Sequence, residues 1–212
     1  MTSRAAQTRT LAPHAALRED QGSLQAAFSP QQSSSTLLRQ RCRSMDSTLR
    51  KLWQTPSGTD ASAADHLTLV AVGGYGRGTL FPGSDIDLLI LTPSSDLTAI
   101  QKHFIEAFLT KLWDLQMQVG HSVRGVEECL QEARQDLGVA TTLLESRYLA
   151  GSRPLLQQLS DALQENPPWP PPLFFAAKLA ERENRHTRCS NTAFHLEPNL
   201  KEGPGALRDI HH

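Results

Sequence analysis

The sequence predicts an α+β domain followed by a separate helical segment. Three observations lead there. Short apolar runs rich in β-branched residues alternate with stretches of helical period, a glycine-rich turn joins the first two of those runs, and the proline run PPWPPP at residues 167–172 interrupts the chain before a last helical stretch. The 212 residues suffice for one domain of ordinary size, or one domain with a helical appendage, and are too few for a multidomain enzyme.

Residues 1–36, rich in Ser, Gln, Ala and Thr and without sustained periodicity, read as a mobile extension. Leu38, Cys42, Met45, Leu49 and Leu52 recur at steps of four and three, which predicts an amphipathic helix ending near Trp53. TPSGTDASAADH, residues 55–66, is turn and loop chemistry. LTLVAV (67–72) and IDLLIL (86–91) predict two strands, and Leu97, Ile100, Phe104, Phe108, Leu112 and Leu115 predict a helix after them. MQVGHSV (117–123) predicts a third strand, VEECLQEARQ and VATTLL two helices, and ESRYLAG (145–151) a fourth strand. Proline lacks the amide donor and fixes φ, so the 167–172 run is a boundary, and a separate helical piece is expected from Leu173. The expected divisions are therefore 1–36, 37–166 and 173–212.

With 21 basic and 22 acidic side chains the formal charge is −1, which argues against a nucleic-acid coat or a polybasic membrane binder. Three well-separated cysteines, Cys42, Cys129 and Cys189, fit neither a disulfide framework nor a paired zinc motif, so a reducing cytoplasm is the expected compartment. No secretory signal pattern opens the chain, and no apolar run approaches the ~20 residues that span a bilayer.

The chemistry lies in GGYGRGTLFPGSDIDLLIL, residues 73–91. Its glycines match neither the phosphate loop with its Gly-Lys pair nor the dinucleotide fingerprint. Asp85 and Asp87 stand two apart at the start of a predicted strand, so both carboxylates are expected on one face. A lone Asp-x-Asp pair is usually a solvated turn; here it follows a strand, a double-glycine turn and a serine, and that context reverses the reading. Two like charges held together call for a hard divalent cation, and two carboxylates plus substrate phosphate oxygens suit Mg2+. Gly73 and Gly74 let backbone amides approach a polyphosphate, Ser84 offers a hydroxyl and Arg77 a positive charge. These parts describe metal-assisted nucleotidyl transfer.

Gly73-Gly74 followed by Ser84-Asp85-Ile86-Asp87 resembles the signature of the DNA polymerase β-type nucleotidyltransferases, which implies a mixed sheet flanked by helices. The fuller string, with WDLQMQVGHSVR (113–124), LLESRYLAG (143–151) and LEPNLKEGPGALRDIHH (196–212), resembles the N-terminal part of the bacterial PII uridylyltransferase/uridylyl-removing enzymes from about Arg39 onward. That resemblance implies transfer of UMP from UTP to a tyrosine of the signal protein PII, with Mg2+, and a third carboxylate from a later strand. Glu145, expected to share a strand face with Arg147, and Asp114, at a helix end, are the two candidates, with Glu145 ahead. The resemblance also assigns Lys201 a phosphate or UTP contact.

Arg124 is a further phosphate candidate, whereas His121 on the same strand more often satisfies a local hydrogen bond. Lys178, Arg182 and Arg185 share one helix face, ordinarily a solvated one. The family's uridylyl-removing domain is marked by a His-Asp dipeptide, and none occurs here; the chain ends at His211-His212 and is expected to be a truncated one. Two alternatives stay open: a nucleotide-binding fragment impaired in catalysis, and a nucleotidyltransferase with another protein acceptor. RNA as acceptor is disfavoured by the neutral charge.

Overall fold

The computed structural model describes residues 33–54, 62–188 and 199–210. Of the expected extension over residues 1–36, residues 1–32 lie outside them, as do 55–61 of the expected loop and Cys189; the extension's last residues, Ser34–Thr36, instead open a helix. The elements run α1 (Ser34–Gln54), α2 (Ser62–Asp65), β1 (Thr68–Ala71), α3 (Gly73–Gly76), β2 (Ile86–Thr92), α4 (Ala99–Asp114), β3 (Val119–Gly125), α5 (Val126–Gln135), α6 (Leu137–Leu144), β4 (Arg147–Gly151), α7 (Arg153–Glu165), α8 (Pro171–Arg188) and α9 (Leu207–Ile210).

The strands form one mixed sheet in the order β3-β2-β1-β4. β1 pairs antiparallel with β2 and with β4, while β2 and β3 run parallel, with Asp87 opposite Gly120 and Leu91 opposite Arg124. The near-continuous apolar character of β1 and β2 follows from helices covering both faces. On one face Leu69, Ala71, Leu88 and Ile90 pack with Trp53 of α1 and Phe104, Phe108 and Leu112 of α4. Trp53 meets both phenyl rings edge-on, at centroid distances of 4.9 and 5.0 Å. On the other face Val70, Val72, Leu89 and Leu91 pack with Cys129 and Ala133 of α5, Ala140 and Leu143 of α6, and Leu155 and Leu159 of α7.

Local chemistry sets the element ends. Thr98 and Gln101 form a capping box that starts α4. Asp136 ends α5 and caps α6, accepting from the Gly138 and Val139 amides at 2.6 and 3.1 Å. The helix expected from Leu173 begins two residues earlier, because Pro171 and Pro172 occupy its first turn, where a missing amide donor costs nothing. Within the stretch expected as loop, Ser62–Asp65 closes one helical turn. The strand expected from Glu145 begins instead at Arg147: Glu145 caps the C-terminal end of α6 at φ −94°, ψ 15°. Among the described residues no helix is long and apolar enough to cross a membrane.

Candidate functional site

The site forms where the ends of β1 and β2 meet α3. The Val72 amide donates to the Asp87 carbonyl at 3.1 Å, so the glycine turn departs directly beside the aspartate. Gly73 adopts φ +57°, a region glycine enters without the steric cost a side chain brings. A Cβ there would stand 3.4 Å from Asp87 Oδ2, and one on Gly120, across the parallel pair, 2.7 Å from Oδ1. Glycines on both sides thus leave the Asp87 carboxylate its room.

Asp85 is exposed and precedes β2, while Asp87, the strand's second residue, lies half-buried. Burial first, and then the charge of Asp85, push the Asp87 carboxyl above its ordinary range, and the Lys201 ammonium pulls it back. The structure therefore sets the Gly73 turn and Gly120 beside the Asp87 carboxylate, with Asp85 and the exposed Ser84 just before it in the chain, while Lys201 is exposed in the 199–210 segment. Among the described residues no three His, Cys, Asp or Glu side chains gather to hold a metal ion. Two neighbouring carboxylates nevertheless suit Mg2+, which keeps waters or substrate oxygens in most of its positions.

Glu145 takes a different place from the one expected. From the end of α6 its carboxylate accepts from Arg77 Nη1 at 2.6 Å, so the expected third metal ligand is an ion-pair partner of the expected phosphate-binding arginine. Asp114 ends α4 and is exposed. Arg124 lies four rungs from Asp87 along the sheet, about 13 Å at 3.3 Å per residue, and faces Glu132 of α5 at 3.6 Å. His121 is exposed and meets Trp113 edge-on at 6.1 Å. The basic face of α8 is not a solvated stripe: Arg185 is buried against Asp209, and Lys178 bonds Glu181 at 2.7 Å.

Beneath the turn lies a buried network that local sequence reading misses. Asp46 of α1 accepts from Tyr75 Oη at 2.6 Å and from Arg147 Nη1 and Nη2 at 2.6 and 3.1 Å. Arg147 also donates to the Gly76 and Tyr75 carbonyls, each at 3.2 Å, tying β4 to the last half-turn of α3. Burial and the bond to Asp46 push the Tyr75 phenol far up, so it remains a donor. The detectable signal was Asp46 itself, an acid on the apolar side of an amphipathic helix, one residue from Met45.

Comparison with known proteins agrees with this architecture. A nucleotidyltransferase domain profile matches residues 61–140, and a GlnD PII-uridylyltransferase profile matches residues 173–212. The fold is thus that of a polymerase β-type nucleotidyltransferase domain. Three proteins named bifunctional uridylyltransferase/uridylyl-removing enzyme are similar over most of the chain. The one from Hydrogenovibrio crunogenus is 47% identical over 175 residues, covering 82% of this chain and 19% of the relative. That from Pseudomonas entomophila is 48% identical over 174 residues, covering 82% and 19%. That from Pseudomonas fluorescens SBW25 is 45% identical over 195 residues, covering 92% and 21%. The chain spans about a fifth of the length of these relatives. By this sustained identity, and by both profiles falling in order along it, the chain is similar to a portion, about a fifth in length, of the bifunctional uridylyltransferase/uridylyl-removing enzymes.

Proposed function

We propose that this chain carries the transferase site of those enzymes and moves UMP from UTP to a tyrosine of the PII signal protein, releasing pyrophosphate. The observation that supports the reading most is the half-buried Asp87 carboxylate, flanked by two glycines, pushed up by burial and the charge of Asp85 and drawn down by that of Lys201. A site that holds an acid against burial and a like charge has a use for that charge. In this reading Asp85 and Asp87 hold Mg2+, and the ion when bound neutralises phosphate charge and favours the ionised tyrosine oxygen. Gly73 and Gly74 admit the triphosphate, Ser84 donates to it, and Arg77 and Lys201 balance its charge. The tyrosine oxygen bonds to the α-phosphorus as the bond to the pyrophosphate oxygen breaks, and the phenolic proton leaves to solvent.

Residues 37–166 then form the transferase domain and residues 173–212 the start of a helical domain that contributes Lys201. The buried free thiols Cys42 and Cys129 suit the reducing cytoplasm in which this chemistry would run. The test is incubation of the chain with purified PII, Mg2+ and UTP or ATP labelled at the α-phosphate. Label on PII with UTP, lost on chelation and restored by Mg2+, supports the reading. Label from ATP alone, or none from UTP, overturns it.

A further inference from the structure

The segment 199–210 folds into a closed loop of its own. Asn199 Oδ1 accepts from the Lys201 and Glu202 amides at 3.0 and 2.9 Å, and the Leu207 and Arg208 amides return to the Leu200 and Lys201 carbonyls at 3.0 and 3.1 Å. Arg208 Nε pairs with Glu202 at 3.1 Å. The loop buries little apolar surface in holding its place, since Leu200 is 75% and Ile210 73% exposed. A groove of about 440 Å3, lined by Arg185, Arg188, Glu202 and Arg208 among others, runs between it and α8.

One carboxylate spans that gap. Asp209 Oδ2 accepts from the Gly205 amide at 2.7 Å and from His186 Nε2 at 2.8 Å, while Oδ1 accepts from Arg185 Nη2. Because a carboxylate only accepts, Nε2 is the protonated nitrogen of His186. Asp209 therefore closes the loop on itself and fastens it to the buried Arg185 and half-buried His186 of α8. The charge of Lys201, carried by the same loop, draws the Asp87 carboxyl down.

We infer that Asp209 is a positioning residue for nucleotidyl transfer: bound to Arg185 and His186, it holds the 199–210 loop so that Lys201 meets the triphosphate beside Asp85 and Asp87. This rests on the phosphate role proposed above for Lys201. A lysine on a flexible stem gives most to binding when its backbone is already fixed, because ordering the loop at the moment of binding subtracts from the gain. Asp209 does that fixing at a distance from the nucleotide.

The test is a double-mutant cycle on this chain, read as the Kd for Mg–UTP without PII present, with thermal melts of each variant. Lys201→Ala is expected to weaken UTP roughly tenfold, the worth of one charge-assisted hydrogen bond. Asp209→Asn is expected to weaken it by a similar factor, Asp209→Glu to recover part of the loss, and the double variant to bind no worse than Lys201→Ala alone. Should Asp209→Asn fail to fold, His186→Gln replaces it in the cycle, with a smaller effect of about threefold and the same non-additivity. Multiplying effects, or an Asp209→Asn variant that binds like the parent, would overturn the inference, as would a Lys201→Ala variant without effect. A coupled pair in a chain that labels no PII would leave the inference standing and sink the acceptor reading instead.

Discussion

Arg147 Nη1 lies 2.6 Å from Asp46 Oδ2, and this ion pair anchors the glycine turn to the rest of the domain. The Asp46 side chain is only 8% exposed; its partners Tyr75 and Cys42 belong to the same core cluster, and Arg50 of α1 pairs with its Oδ2 at 3.8 Å. Removing one member of a buried pair strands the other's charge, at a cost of about 3–5 kcal/mol. Arg147 keeps 30% of its side chain exposed, so Asp46→Ala should fall at the lower end of that range. Tyr75→Phe, which leaves the ion pair in place, should cost less, about 1.5–3 kcal/mol for one hydrogen bond to a charged group. Urea melts of both variants check the ranking; equal losses would mean the arginine adds nothing.

Asp87 should behave in the opposite way. Its carboxyl is pushed above the ordinary range by burial and by Asp85, so the folded state holds its charged form at a disadvantage. Asp87→Asn removes that charge at constant volume. The expected outcome is loss of transfer with an unchanged or higher melting temperature at neutral pH, the mark of an acid kept for chemistry rather than for stability. A variant that loses both activity and several degrees of Tm would place Asp87 among the structural residues.

The four strands, helices α1, α4, α5, α6 and α8 and the acidic pair could be seen in the chain because each has a local signature: a short apolar run rich in β-branched residues for β1 and β2, steps of three and four for α1 and α4, a spacing of two between Asp85 and Asp87; α7, which places Leu155 and Leu159 on the second face, was not among the expected elements. The supports of the site have no such signature. Asp46 meets Tyr75 across 29 positions and Arg147 across 101, and Arg185 meets Asp209 across 24. The value of Gly120 to Asp87 shows only once the parallel register of β2 and β3 is known. Glu145 departs from its expected strand position for a related reason: whether it ends α6 or opens β4 turns on a boundary of one or two residues, and the partner that draws it, Arg77, is 68 positions away.

Two glycines near the site should respond differently to alanine. A Cβ on Gly76 would stand 1.9 Å from the Glu145 carbonyl oxygen, a backbone atom that cannot move without shifting the end of α6. Gly76→Ala should therefore destabilise by about 3 kcal/mol or more, the upper end of overpacking. On Gly120 the Cβ would meet the tip of the Asp87 side chain, which a small χ rotation removes. Gly120→Ala should fold nearly as well as the parent, yet transfer more slowly because the carboxylate has turned. Melting temperatures and initial rates of the two variants separate these effects, and a Gly120→Ala variant with parental rate would show that the Asp87 orientation is not critical.

Glu145→Gln tests the pairing with Arg77. If the carboxylate serves to orient the guanidinium, the change should raise KM for UTP a few-fold while the Mg2+ concentration at half-maximal rate stays where it was, since a surface-facing pair of this kind is worth about 1 kcal/mol or less. The effect should vanish in an Arg77→Met background. A shift of the Mg2+ dependence in the Glu145→Gln variant would restore it to the metal's own ligand set.

The loop that carries Lys201 should stay docked far into acid. Burial would raise the Asp209 carboxyl, but the Gly205 amide, Arg185 and His186 outweigh it and bring the group from its ordinary 3.8 to about 2. The groups facing it are those two α8 side chains and that amide, while Arg208 and Glu202 of the loop pair with each other. A folded value below the unfolded one means the undocked state binds the proton more tightly. The stabilisation is therefore complete at pH well above 3.8 and is lost as pH falls from there through about 2. The amide proton of Gly205 reports on this directly, because it donates to the same carboxylate. Its NMR shift should hold steady from neutral pH to about 4 and then move with a midpoint near 2, with the Leu69 amide of β1 as the reference that the sheet is intact. In Asp209→Asn that transition should be absent. A midpoint at or above 3.8 in the parent chain would mean that Arg185 and His186 do not hold the carboxylate in solution.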